Sequence, residues 1–80
     1  MKPEEYDVVR LRRSLPEHDL PAGAKGTVVF DYTKFDYAKY TGQSLRPAYE
    51  VEFADAHGVT HVLVTIYEDD LEVVPPSALD

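Results

Sequence analysis

The segment Tyr49-Glu50-Val51-Glu52-Phe53 alternates without a break, with three apolar residues on one side and two carboxylates on the other. An extended strand, whose successive side chains point to opposite faces, sorts such a run cleanly, whereas a helix would scatter it around its circumference. One apolar and one charged face is the mark of a half-buried antiparallel strand, so this segment commits the chain to supplying antiparallel neighbours. Tyr6 to Arg12 is the first of these, with Val9 and Leu11 on one face and Arg10 and Arg12 on the other. Lys25 to Tyr32 is the second, and Gly26 within it marks a bend or a close backbone approach. After Phe53, Ala54-Asp55-Ala56-His57-Gly58 carries turn chemistry and a further strand is expected from Val59 to Tyr67, making a hairpin. Glu68 to Leu71 reads as a 3₁₀ turn, and Leu71 to Val74 as a brief closing strand halted by Pro75-Pro76.

Between the first two strands, Ser14 to Gly23 holds two prolines and a glycine, which sustain neither strand nor helix; an ordered loop is expected, with Leu15 and Leu20 tucked under the sheet. No segment keeps a helical period. The expected fold is therefore all-β: a small five-stranded SH3-like barrel with a long loop after strand 1 and an aromatic-rich loop between strands 2 and 3. Eighty residues make one domain, 1–80, with its core over about 6–74 and frayed termini. A chain of this size buries only roughly 60–65% of its unfolded surface, so the core must be small. It is expected to comprise Val9, Leu11, Leu15, Leu20, Val28, Phe30, Tyr49, Val51, Phe53, Val62, Val64, Leu71 and Val73. In strand 4 two faces suit a core equally, Val62/Val64/Ile66 and Leu63/Tyr67.

Charge narrows the function. Through Arg46 the chain has eight Lys/Arg against seven Asp/Glu, while residues 47–80 have eight Asp/Glu and no Lys or Arg, so the net charge of -7 arises wholly in the C-terminal part. An acidic face and a partner with a basic surface are expected, and nucleic acid is not, because phosphate neutralisation needs clustered cations. No apolar run reaches the ~18 residues of a membrane span, and the Met-Lys-Pro-Glu-Glu start lacks a leader pattern. With no cysteine either, a cytoplasmic location without disulfides is expected.

Tyr6-Asp7-Val8-Val9, Leu15-Pro16-Glu17-His18, Leu20-Pro21-Ala22-Gly23, Gly26-Thr27-Val28-Val29, Tyr49-Glu50-Val51-Glu52-Phe53 and Asp69-Asp70-Leu71 together resemble a short uncharacterised bacterial small-barrel family, a domain of unknown function. The resemblance spans nearly the whole chain and implies a stand-alone barrel encoded beside other small genes; it implies no activity. More distantly, Gly26 to Val29, the stretch Asp31 to Arg46, Pro47 to Phe53 and Ile66-Tyr67-Glu68-Asp69-Asp70-Leu71-Glu72 are similar to the C-terminal SH3-like barrel of the nitrile hydratase β subunit and its activator proteins. That likeness implies a barrel that docks on a partner. It carries no hydratase chemistry, since the helical part is missing here and the cysteine-rich metal site belongs to the other subunit.

The most unusual segment is 31–47, where Tyr32, Phe35, Tyr37 and Tyr40 are interleaved with Lys34, Lys39 and Arg46. Hairpin connections usually take two to five residues, and Tyr beside Arg is the signature of interface anchors. These seven residues are the candidate partner-binding site; the competing reading is that two or three of the rings cover the core. His57 and His61 flank a turn and a strand, and Glu68-Asp69-Asp70 lacks the ligand alternation of a calcium loop, so no metal or cofactor is expected. Arg10 and Arg12 are expected to pair with carboxylates of a neighbouring strand, with Glu50 and Glu52 the candidates. Ser14, Ser44 and Ser77 have no adjacent base, and no enzyme is expected. The expected function is a non-catalytic protein-binding module, monomeric or weakly dimeric. An inhibitory or antitoxin-like partner of a neighbouring gene product is one form of it; an accessory or assembly subunit of a nitrile hydratase-like enzyme is the alternative.

Overall fold

The computed structural model describes residues 2–34, 46–54 and 61–78. Among them five strands, β1 (Val8–Leu11), β2 (Lys25–Asp31), β3 (Ala48–Ala54), β4 (His61–Tyr67) and β5 (Leu71–Val73), form one antiparallel sheet in the order β4-β3-β2-β1-β5. The chain meanders through β1 to β4, and β5 then returns beside β1. With an ordered segment after β1 and a 3₁₀ turn, Glu68–Asp70, leading directly into β5, this is the expected SH3-like barrel order.

The alternating pattern sets the core. Val9 and Leu11 face Val73 and Leu71 across β1–β5, and Tyr49, Val51 and Phe53 face Ile66, Val64 and Val62 across β3–β4. Val9, Val28, Tyr49 and Val51 are wholly buried and Phe53 nearly so; each such side chain contributes roughly 1.5–3 kcal/mol of burial. The β4 ambiguity resolves with Val64 and Ile66 buried and Val62 half-buried, leaving Leu63 and Tyr67 outside. Pro3 and Val74 are buried as well, beyond the strands whose alternation locates the rest of the core. Leu15 and Leu20 close the loop after β1 with a reciprocal pair of backbone bonds of 2.7 and 3.1 Å around the 3₁₀ turn Pro16–His18, and Leu15 is buried. Gly26 is the close approach anticipated there: a Cβ at this position would lie 2.7 Å from Val51 Cγ1, 2.8 Å from the Glu52 carbonyl oxygen and 2.9 Å from Phe53 Cδ1.

Two expectations are corrected. Phe30 is only half-buried, because the β2–β3 register slips between Val28 and Phe30: Val28 pairs with Val51, but Phe30 pairs with Glu50 and Asp31 with Tyr49. One inserted residue inverts the side-chain parity, so Phe30 turns outward and Asp31 takes the buried side, 4% exposed. There its carboxylate accepts from the Thr33 amide at 2.8 Å and from the Thr33 hydroxyl, capping the 3₁₀ turn Tyr32–Lys34. Arg10 and Arg12 do not reach Glu50 or Glu52, because β2 stands between β1 and β3. Arg10 instead forks onto Glu72 of β5 at 2.9 and 3.2 Å, raising its own pKa and lowering that of Glu72 through the bond and its charge, and Arg12 donates to the Leu71 carbonyl at 2.9 Å.

Candidate partner-binding face

The outward residues of β2, β3 and β4 form rows across the sheet: Thr27, Glu52 and Leu63 in one, Phe30, Glu50 and Thr65 in the next, then Ala48 with Tyr67. Antiparallel pairing places directly opposed side chains on the same face, so these rows build one continuous surface. Leu63 is 58% and Tyr67 44% exposed, two of the three large hydrophobics that the described residues leave open to solvent. Tyr6, the third, lies on the segment before β1, where its N–H donates to the Val28 carbonyl at 2.6 Å.

Glu50 sits at the centre of this surface. It accepts from the Tyr32 hydroxyl at 2.8 Å on one oxygen and from the Thr65 hydroxyl at 3.4 Å on the other. The Tyr32 ring stands edge-on to Phe30 with centroids 4.9 Å apart, an arrangement that aligns ring edge with ring face. At the far end the Arg46 guanidinium lies 3.8 Å from the Tyr67 ring centroid and 3.6 Å from Asp69. A cation held over a ring and beside a carboxylate keeps its charge at the surface in a defined position. The turn that carries Asp69 is itself anchored: the Glu68 amide donates to the Pro47 carbonyl at 2.9 Å, and its carboxylate accepts from the buried Tyr49 hydroxyl at 2.8 Å. The core residue Tyr49 therefore helps to anchor the turn that carries Asp69.

Of the seven residues singled out from the sequence, Tyr32, Lys34 and Arg46 are described, and Phe35, Tyr37, Lys39 and Tyr40 lie outside the described residues. Tyr32 and Arg46 both border the outer face of β3 and β4 as above, while Lys34 pairs with Glu5 at 3.2 Å. Leu63 and Tyr67 were visible in the sequence only as one of two rival faces of strand 4, and nothing in β4 alone separates them from core. His57 lies outside the described residues, among which no group of three or more His, Cys, Asp or Glu is placed to hold a metal. Nor is any helix among them long and apolar enough to cross a membrane. An open cleft of about 400 Å³ is lined by Lys2, Arg12, Glu68, Asp69 and Leu71.

Comparison with curated proteins and with solved structures finds no match. A family model, however, runs from Glu5, which holds Lys34, to Val73 at the end of β5, and so takes in every strand of the sheet. The chain belongs to that family, described as a domain of unknown function, DUF4926, whose model matches residues 5–73.

Proposed function

We propose that the chain is a non-catalytic protein-binding module of the cytoplasm, which meets a basic surface of another protein with the outer face of β3 and β4. The observation that carries this reading is the exposure of Leu63 and Tyr67 on one face, in rows with Glu52 and beside Glu50. Apolar anchors next to fixed carboxylates suit a partner that brings both apolar and cationic side chains. Arg46 stacks on Tyr67 at one end of the face, and aromatic groups, with few rotatable bonds, lose little entropy on binding. Phe35, Tyr37 and Tyr40 are proposed as further anchors from the connected segment, with Lys34, Lys39 and Arg46 as orienting charges.

Capture of the partner from the native host, by cross-linking to the tagged full chain, tests this. Tyr67→Ala is expected to weaken capture by about 2 kcal/mol, roughly thirtyfold, while changing stability little, as is usual for an exposed site. Loss of stability with unaltered capture would overturn the reading. The -7 charge also leads us to expect no sub-micromolar nucleic-acid binding in a gel shift at ~150 mM salt.

An inhibitory or antitoxin-like role is the form of this function that a small basic neighbouring gene product would support. The alternative, an accessory subunit similar to the nitrile hydratase barrel, draws on the strand, 3₁₀ turn and closing strand formed over Ile66 to Glu72. A neighbouring gene for a cysteine-motif metal subunit would favour it.

A further inference from the structure

The geometry points to a mode of contact that rests on the protein-binding reading and deepens it: the outer edge of β4 accepts an extended, basic segment of the partner as a sixth strand. β4 ends the sheet order, so among the described residues only β3 pairs with it. That pairing runs through seven consecutive positions, Ala48–Tyr67 to Ala54–His61, with no bulge. A strand at the end of a sheet presents backbone donors and acceptors along its outer side, and soluble proteins commonly blunt such edges with lysine, proline, a bulge, an inward charge or brevity. The two ends of this sheet differ in that respect. β5 is three residues long, carries Glu72 and runs into Pro75-Pro76. β4 is seven residues long, His-Val-Leu-Val-Thr-Ile-Tyr, with no lysine, arginine, carboxylate or proline. It is a long, regularly paired edge without these devices, the kind of template that strand addition uses.

Charge selects the occupant. Outward residues of an added strand would lie beside Leu63, Thr65 and Tyr67, with Glu52 and Glu50 one strand further in along the rows of Leu63 and Thr65, so a long cationic side chain could reach over Thr65 to a carboxylate or stack on Tyr67 as Arg46 does. Inward residues would extend the layer of Val62, Val64 and Ile66 and must be apolar. The preferred segment therefore alternates Lys or Arg with an aliphatic residue. A second copy of the chain fits less well, since each copy carries -7 and would bring like charges together.

The test titrates the full chain with a capped peptide of about eight residues alternating lysine and valine, following amide exchange by nuclear magnetic resonance. Two further peptides serve as controls: one N-methylated at every second residue, which keeps the charge but removes the ladder donors, and one with aspartate for lysine. The lysine peptide is expected to slow exchange of alternate β4 amides on the order of tenfold or more, and N-methylation to weaken binding by at least about tenfold. The aspartate peptide should not bind. Leu63→Lys, at an exposed position opposite Glu52, should weaken the lysine peptide and leave the fold intact. Equal binding of the N-methylated peptide, no binding of the lysine peptide, or concentration-dependent protection of β4 by a second copy would each overturn the proposal. Partner capture that depends on Tyr67 while β4 amides exchange as in the free protein would remove the ladder alone and leave the protein-binding reading standing.

Discussion

Phe53→Ala is expected to cost about 3–5 kcal/mol and Gly26→Ala about 1–3 kcal/mol, for opposite reasons at the same place in the barrel. Phe53 is 1% exposed at the end of β3, and deleting its ring leaves a cavity lined by the core. Gly26 permits β2 to close against β3, and a methyl group there would meet Phe53 Cδ1, Val51 Cγ1 and the Glu52 carbonyl oxygen inside 3 Å. A side chain can retreat from that contact; the carbonyl belongs to the β3 backbone and cannot move without disturbing the sheet. In a domain of this size the core supplies only about 3–5 kcal/mol of net stability, so Phe53→Ala should leave little folded protein at 37 °C. Urea unfolding of Gly26→Ala, Phe53→Leu and the double variant checks the account. The double variant should be more stable than the sum of the single effects, by roughly 0.5–1 kcal/mol, as the smaller side chain relieves one contact but not the carbonyl. Strict additivity would mean that the Cβ at position 26 does not press on Phe53.

Those two positions also show how far the sequence could be read. Alternation in Tyr49 to Phe53 and in Val9 and Leu11 located the buried faces of β3 and β1, and Gly26 marked a close approach, because in each case a local pattern carries the physical requirement. Phe30 failed because Val28-Val29-Phe30 is apolar at every position, so a bulge that shifts parity leaves no trace in the pattern. The exchange becomes visible only through Asp31, whose burial is tolerated because Thr33 donates to it twice.

The faces of β4 and the partner of Arg10 were illegible for a different reason: both depend on which strands become neighbours. Val62 to Tyr67 is apolar or uncharged throughout, and the choice between its two faces is made by register, with Val64 opposite Val51 and Ile66 opposite Tyr49. Arg10 meets Glu72 because β5 returns to β1, a tertiary fact that no local spacing encodes. The candidate face inherits both limits. Tyr32, Lys34 and Arg46 could be named from composition, whereas the exposure of Leu63 and Tyr67 on the outer face follows from the topology.

Above pH 10 the domain is expected to lose stability steeply, through Tyr49. Its side chain is wholly buried and its hydroxyl donates to Glu68 at 2.8 Å. Burial raises the phenol pKa well above the ordinary 10.0, and the bond to Glu68, the Glu68 charge and the Asp31 charge raise it further, against a smaller lowering by Thr33. Below pH 10 the phenol is protonated in both folded and unfolded chains, and its contribution is fully present. As pH rises past 10 the unfolded chain releases this proton while the folded chain retains it, so the balance tilts toward unfolding at up to about 1.4 kcal/mol per pH unit. Tyr49→Phe removes the titration together with the hydrogen bond. It should therefore be less stable than the parent at pH 8, by about 1 kcal/mol, yet decline less between pH 10 and 12, so that the two curves converge near pH 11. Urea midpoints of both proteins at pH 8, 10, 11 and 12 measure this, and parallel alkaline limbs would show that Tyr49 ionises as readily in the folded protein as in the unfolded chain.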